Sequence, residues 1–145
     1  MKRILLIIVL IAAAAGGWYA YRAFNRTNPD LAGAEPVAQS EALALIAAFE
    51  KDSAAFNRQY VDKVVSVTGT VKKIDAEGNP VVLFLGDAAE MSSVQCSMDS
   101  SHAAQYTSIQ SGATVTLKGM VTGAVTEELF GTDVKLNRCV PVKTN

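Results

Sequence analysis

The chain has 145 residues, 50% of them hydrophobic and 19% charged, enough for one domain with a modest core plus an appendage and too few for two domains with a linker. Charge is unevenly spread: from Asp30 onward nine Lys and Arg face fourteen Asp and Glu, a net of −5, and cations cluster only at Lys72-Lys73. A phosphate backbone is bound by clustered cations that release its counterions, so this composition argues against nucleic acid as a ligand.

Lys2 and Arg3 precede an uncharged apolar run of 18 residues over 4–21, the lower edge of what spans a bilayer as a helix. Residues 1–24 therefore read as a membrane-directed segment, either a signal peptide cleaved near Ala13 and Ala15 or an uncleaved signal anchor. The anchor is the expected form, because Trp18, Tyr19 and Tyr21 followed by Arg22 and Arg26 resemble an interfacial aromatic belt with snorkelling cations. The absence of cysteine near the start excludes a lipoprotein anchor. Charge asymmetry about the run puts the rest of the chain outside the cytoplasm, facing the periplasm or cell exterior, or secreted if the segment is cleaved. Residues 25–36, NRTNPDLAGAEP, hold two prolines and little apolar content and read as a flexible linker.

The remainder, 37–145, is the expected folded domain. Ser40 is placed to cap a helix running to about Tyr60, with Leu43, Ile46, Ala47, Phe49 and Phe56 at helical spacing as a core stripe. The period then changes to two, which predicts strands over 64–74, 81–85, 92–98, 114–125 and 133–142. A turn over 75–80 separates the first two, and Val94, Cys96 and Met98 share one face of the third. Residues 100–110 break the alternation: Ser100 or Ser101 can cap a short helix, and Gly112 ends the segment. A polar loop with Glu127, Glu128 and Gly131 joins the last two strands.

VSVTGTV and VTLKGMV share a template that puts Gly69 and Gly119 at the same point of the first and fourth strands. Central glycines in long strands predict kinks that let a small sheet coil and close. Five strands, a helix between the third and fourth, and the longest strands first and fourth match the five-stranded oligonucleotide/oligosaccharide-binding (OB) barrel. The predicted class is thus mainly β, an OB barrel preceded by an α-helix and an N-terminal transmembrane or signal helix.

Cys96 and Cys139 are the only cysteines, and in an oxidising compartment they read as a disulfide, the alternative being two buried thiols. Closing that loop would contribute about 4 kcal/mol on a chain-entropy model. In the OB order the third and fifth strands are neighbours, which brings the two cysteines side by side. Val134, Leu136 and Val140 nevertheless share a phase that leaves Cys139 on the other face unless the last strand bulges.

The helix ending in a tyrosine before KVVSVTGTV, the VQCSMD strand, SGATVTLKGMV and the DVKLNRCV close resemble the tRNA-anti-like OB-fold domains of exported bacterial proteins, over roughly residues 40–142. The resemblance implies fold, export and paired cysteines. It carries over no catalytic residue and does not by itself imply tRNA binding.

His102 is the only histidine, and the serines near it lack the glycines of a nucleophile elbow. Two cysteines and one histidine do not make a metal site. Asp87, Glu90 and Asp99 flank the third strand, but loop acids of this kind are ordinarily solvated. The chain is accordingly expected to be no enzyme and to need no cofactor. The function expected is recognition of an envelope protein partner or a small or oligomeric ligand on the face around the second and third strands. Phe84 and Met91 are the candidate apolar contacts there, although both residue types also suit a core. His102 and Tyr106 spell H-x-x-x-Y, which resembles the haem-attachment motif of the OB-fold haem chaperone of cytochrome c maturation. A haem or metal carrier is therefore the alternative, although in that family the motif follows the last strand.

Overall fold

The computed structural model describes residues 12–22 and 30–142. Residues 12–22 are helical and exposed, with the Arg22 guanidinium 5.6 Å from the Trp18 ring centroid. Among the described residues no helix is long and apolar enough to cross a membrane. Residues 1–11 and 23–24 of the expected anchor segment, and 25–29 of the expected linker, lie outside the described residues.

The domain opens with a strand that the sequence reading missed. β1 (Ala38–Glu41) runs parallel to β2 (Val64–Asp75), and Val37 N donates to Val64 O at 2.8 Å. α1 (Ala42–Lys51) therefore starts later than the expected Ser40 cap, and the Ser40 hydroxyl instead donates to Glu41 O at 3.3 Å. The single helix expected to Tyr60 is broken at Asp52, whose N–H closes α1 on Ala48 O while its carboxylate accepts from Ala55 N at 2.8 Å. One residue thus ends α1 and caps α2 (Ser53–Tyr60). The late start moves the buried stripe to Ala42, Leu45 and Ile46, with Phe56 from α2, and leaves Leu43 and Ala47 exposed. Phe56 meets Phe49 edge-on at 5.3 Å and Tyr60 at 4.9 Å, centroid to centroid.

Five strands close the barrel. β2 pairs with β5 (Thr114–Glu127) along Val64–Thr70, then with β3 (Val82–Leu85) from Val71 onward. β3 pairs with β4 (Ser93–Met98), β4 runs parallel to β6 (Gly131–Pro141), and β6 pairs back to β5. This is the OB order, with the third and fifth barrel strands adjacent. Alternate residues fill the interior: Val65, Val67, Leu83, Leu85, Val94, Leu117, Val121, Val134 and Leu136 are each at most 1% exposed. Losing several methylenes from such a site costs about 2–5 kcal/mol.

Each glycine sits where the pairing of its strand changes, since β2 leaves β5 for β3 just after Gly69 and the β5–β6 register shifts across Gly119, and each also makes room for a neighbour. Neither has the positive φ that favours glycine, and Gly69 lies in unbroken register with Val115. A Cβ on Gly69 would stand 2.9 Å from Ala42 Cβ and 3.2 Å from Leu85 Cβ, so the missing side chain is what lets α1 sit on β2. A Cβ on Gly119 would stand 2.5 Å from Cys139 Sγ. That gap admits the sulfur.

Cys139 reaches the interior through the bulge that its phase required. Between Lys118↔Val140 and Met120↔Asn137 the β6 strand carries one extra residue, and Arg138 takes a left-handed φ of 56°. Cys139 is thereby fully buried with Cys96, which pairs opposite Leu136. Both thiols are free in the structure, so the expected bridge is not formed there. Burial, and then Cys96 beside it, push the Cys139 thiol well above its ordinary range.

Candidate functional site

A cross-strand row runs over the outer face of the barrel, from Lys73 on β2 through Phe84 on β3 and Gln95 on β4 to Lys135 on β6. Phe84 faces outward and is half-buried, with the Lys73 ammonium 5.5 Å from its ring centroid. At an exposed site such a cation–π contact is worth about 0.5–1 kcal/mol. Gln95 Nε2 donates to Asp133 Oδ2 at 2.7 Å and Ser93 Oγ to Asp133 Oδ1 at 2.5 Å, which fixes that carboxylate at the start of β6.

Beyond this row, two connections meet at the end of the barrel where β4 and β6 begin. In the β3–β4 loop, Lys72 Nζ donates to the carbonyls of Glu90, Met91 and Ser92 at 2.8, 3.0 and 2.8 Å, and Asp87 Oδ1 accepts from Ala89 N at 2.9 Å. The β5–β6 turn closes when Phe130 N donates to Glu127 O at 3.1 Å. Gly131 follows with φ 78°, and a Cβ there would stand 2.7 Å from Ser92 Oγ, so conformation and space both demand glycine. Ser92 Oγ in turn accepts from Thr132 N at 3.0 Å. The loops carrying Met91 and Phe130 are thus joined through the Ser92 side chain.

These fixed loops display Met91 at 67%, Leu129 at 79% and Phe130 at 60% exposure. Large apolar side chains in that state mark interaction surfaces when they gather. Met91 was singled out from sequence. Leu129 and Phe130 were missed because their loop read as polar; the signal available was an apolar pair at the apex of a hairpin, where polar turn residues are the rule.

A cleft of about 490 Å³ opens at the start of α1, between Glu41, Leu43, Thr68, Gly69, Asp87 and Thr114. Glu41, the residue before α1, makes no side-chain bond to the helix's first turn.

His102 and Tyr106 do not form a joint site. The 3-10 turn Ser100–His102 is capped by Asp99, not by either serine, since Asp99 Oδ1 accepts from Ser101 N at 2.9 Å. That bond, helped by the Ser101 hydroxyl, holds Asp99 below its ordinary value. From α3 (Ala103–Tyr106), Tyr106 enters the core at 7% exposure. His102 instead holds the incoming chain: its Nε2 donates to Asp30 Oδ1 at 2.9 Å, and its Nδ1 accepts from Gln105 Nε2 at 3.0 Å. Asp30 caps the 3-10 turn Leu31–Gly33, and the Ala32 N–H first, then His102, hold its carboxyl below the ordinary range. Lys118 Nζ donates to Ala32 O and Ala34 O, each at 2.7 Å, and Leu31 is 5% exposed. The later half of the expected flexible linker is therefore docked on the barrel. Asp99 lies at the opposite end of β4 from Asp87 and Glu90, so the three acids do not gather at one place.

No curated protein matches the sequence. Among solved structures, the chain is similar to a candidate nucleic acid-binding lipoprotein of Klebsiella pneumoniae at 18% identity, over 72% of this chain and 92% of that one, with a TM-score of 0.56. It is also similar to a candidate aspartyl-tRNA synthetase of Leishmania major Friedlin at 14% identity, over 83% of this chain but only 22% of that one, with a TM-score of 0.46. The first likeness supports the fold. The profile of the tRNA_anti-like family matches residues 1–136, and with the barrel in OB order, the chain belongs to the tRNA_anti-like family.

Proposed function

We propose that the protein is a membrane-tethered, extracytoplasmic recognition module that binds a protein ligand at the loop end of its barrel, without a catalytic step or a cofactor. The observation that carries this reading is the exposure of Met91, Leu129 and Phe130 on two loops bonded to each other, the first of them held by Lys72 as well. Apolar side chains held rigidly lose little conformational entropy on binding and serve as anchors. Phe84 and the adjoining outer row extend the surface along β3 and β4.

The tether belongs to the same proposal. The apolar run 4–21, with basic residues on both flanks, anchors the chain in the bilayer with the barrel outside the cytoplasm. In that oxidising setting the adjacent thiols of Cys96 and Cys139 form the bridge expected of them. Nucleic acid is disfavoured by the net charge of −5 from Asp30 onward. The carrier reading gains no support, because both ring nitrogens of His102 are engaged and Tyr106 is buried.

The test is co-purification of the full chain from membranes, comparing wild type with the Met91→Ser/Phe130→Ser double variant. A protein that accompanies the wild type and is lost from the variant is the expected result. An identical set of companions for both contradicts the reading. Intact mass of the membrane-bound form decides the anchor, since loss of about fifteen residues would mean cleavage.

A further inference from the structure

The loops that carry the apolar cluster are acidic throughout. Residues 86–92 (GDAAEMS) and 127–131 (EELFG) contain Asp87, Glu90, Glu127 and Glu128 and neither Lys nor Arg. All four acids are exposed. Of the nearby lysines, Lys72 directs its ammonium at the carbonyls of Glu90, Met91 and Ser92, Lys73 lies over Phe84, and Lys135 stands exposed on β6 opposite Gln95, in the outer row and outside these loops.

Resting on the recognition reading above, we infer that the partner at this end is a basic, apolar polypeptide segment, with Lys or Arg flanking the side chains that cover Met91, Leu129 and Phe130. Covering the apolar cluster desolvates the carboxylates around it, which is strongly unfavourable unless the partner brings opposite charge. An anionic polymer or anionic lipid surface is repelled for the same reason. A cationic segment is drawn in by the acids and held by the apolar contacts, the usual division between steering and anchoring. Methionine at the centre adapts its shape to varied apolar partners.

The experiment uses the full chain in discs of zwitterionic lipid and two labelled peptides of about twelve residues, one alternating lysine with leucine and phenylalanine, the other with glutamate in place of lysine. Anisotropy, corrected for empty discs, is read at about 50 and about 300 mM salt. The cationic peptide is expected to bind, to weaken at high salt, and to lose about tenfold in affinity with Phe130→Ser and several-fold with Glu127→Gln/Glu128→Gln. Asp75→Asn/Glu77→Gln, at the turn on the opposite end of the barrel, leaves binding unchanged. Equal loss in that distant variant, equal binding of the anionic peptide, or no binding of either peptide overturns the inference. Should it fail while Met91→Ser/Phe130→Ser still loses its companion in co-purification, recognition at this end stands and only the partner's chemistry falls.

Discussion

At the end of the barrel that holds Met98 and Cys139, the side chains of Asp30, His102 and Lys118 bind the incoming chain through bonds of 2.7–2.9 Å. At the other end, where Ser93 meets Asp133, Met91, Leu129 and Phe130 stand 60–79% exposed on loops whose backbones are bonded in place. The same two strands, β4 and β6, thus connect a closed end to an open one. Groups that stabilise a fold become buried and bonded, whereas groups kept for a partner are held firmly and left bare. Mutations at the closed end should cost stability, and mutations at the open end should cost binding alone.

The largest expected effect lies at the closed end. Gly119→Val puts a side chain against Cys139 Sγ and should lower unfolding free energy by about 3 kcal/mol, measured by urea denaturation. An unchanged midpoint would show that the sulfur has room to move. Next, Leu31→Ala should cost about 2 kcal/mol, as a truncated core residue does. A loss under about 0.5 kcal/mol would mean that residues 30–34 are not part of the fold and that the chain there is the free linker expected from its composition.

Acid should weaken the closed end by a smaller amount. Asp30 and Asp99 are both held below their ordinary value of 3.8 in the folded protein. Their contribution is present above 3.8 and is lost as the pH falls below it through the lower folded values. Stability should therefore drop more steeply for wild type than for Asp30→Asn/Asp99→Asn below about pH 4. Parallel curves would remove these carboxylates from the account. The smallest effect on stability belongs to the open end: Leu129→Ser and Phe130→Ser should stay within about 0.5 kcal/mol of wild type. A larger loss would make those residues part of the fold and not of a surface.

The barrel was legible because its strands alternate cleanly, and the neighbouring positions of Cys96 and Cys139 followed from strand order. β1 was not, because AQSE contains no β-branched or aromatic residue and pairs only through its backbone with β2. Asp52 was readable as a cap, yet good helix formers on both sides hid the break. The space that the two glycines leave was invisible in their own strands, since it depends on Ala42 and Cys139, which are distant in sequence. Of the candidate contacts, Phe84 and Met91 do face outward, while Tyr106 went to the core and His102 to the docked segment. Leu129 and Phe130 escaped because charge on either side of them suggested an ordinary solvated turn.

The most direct test of the open end is photocross-linking in intact cells from a photoreactive side chain placed at position 130, with position 77 on the opposite end as reference. The account predicts a discrete protein adduct from position 130 that is absent from position 77. The same adducts from both positions, or none from 130 while 77 gives one, would contradict it.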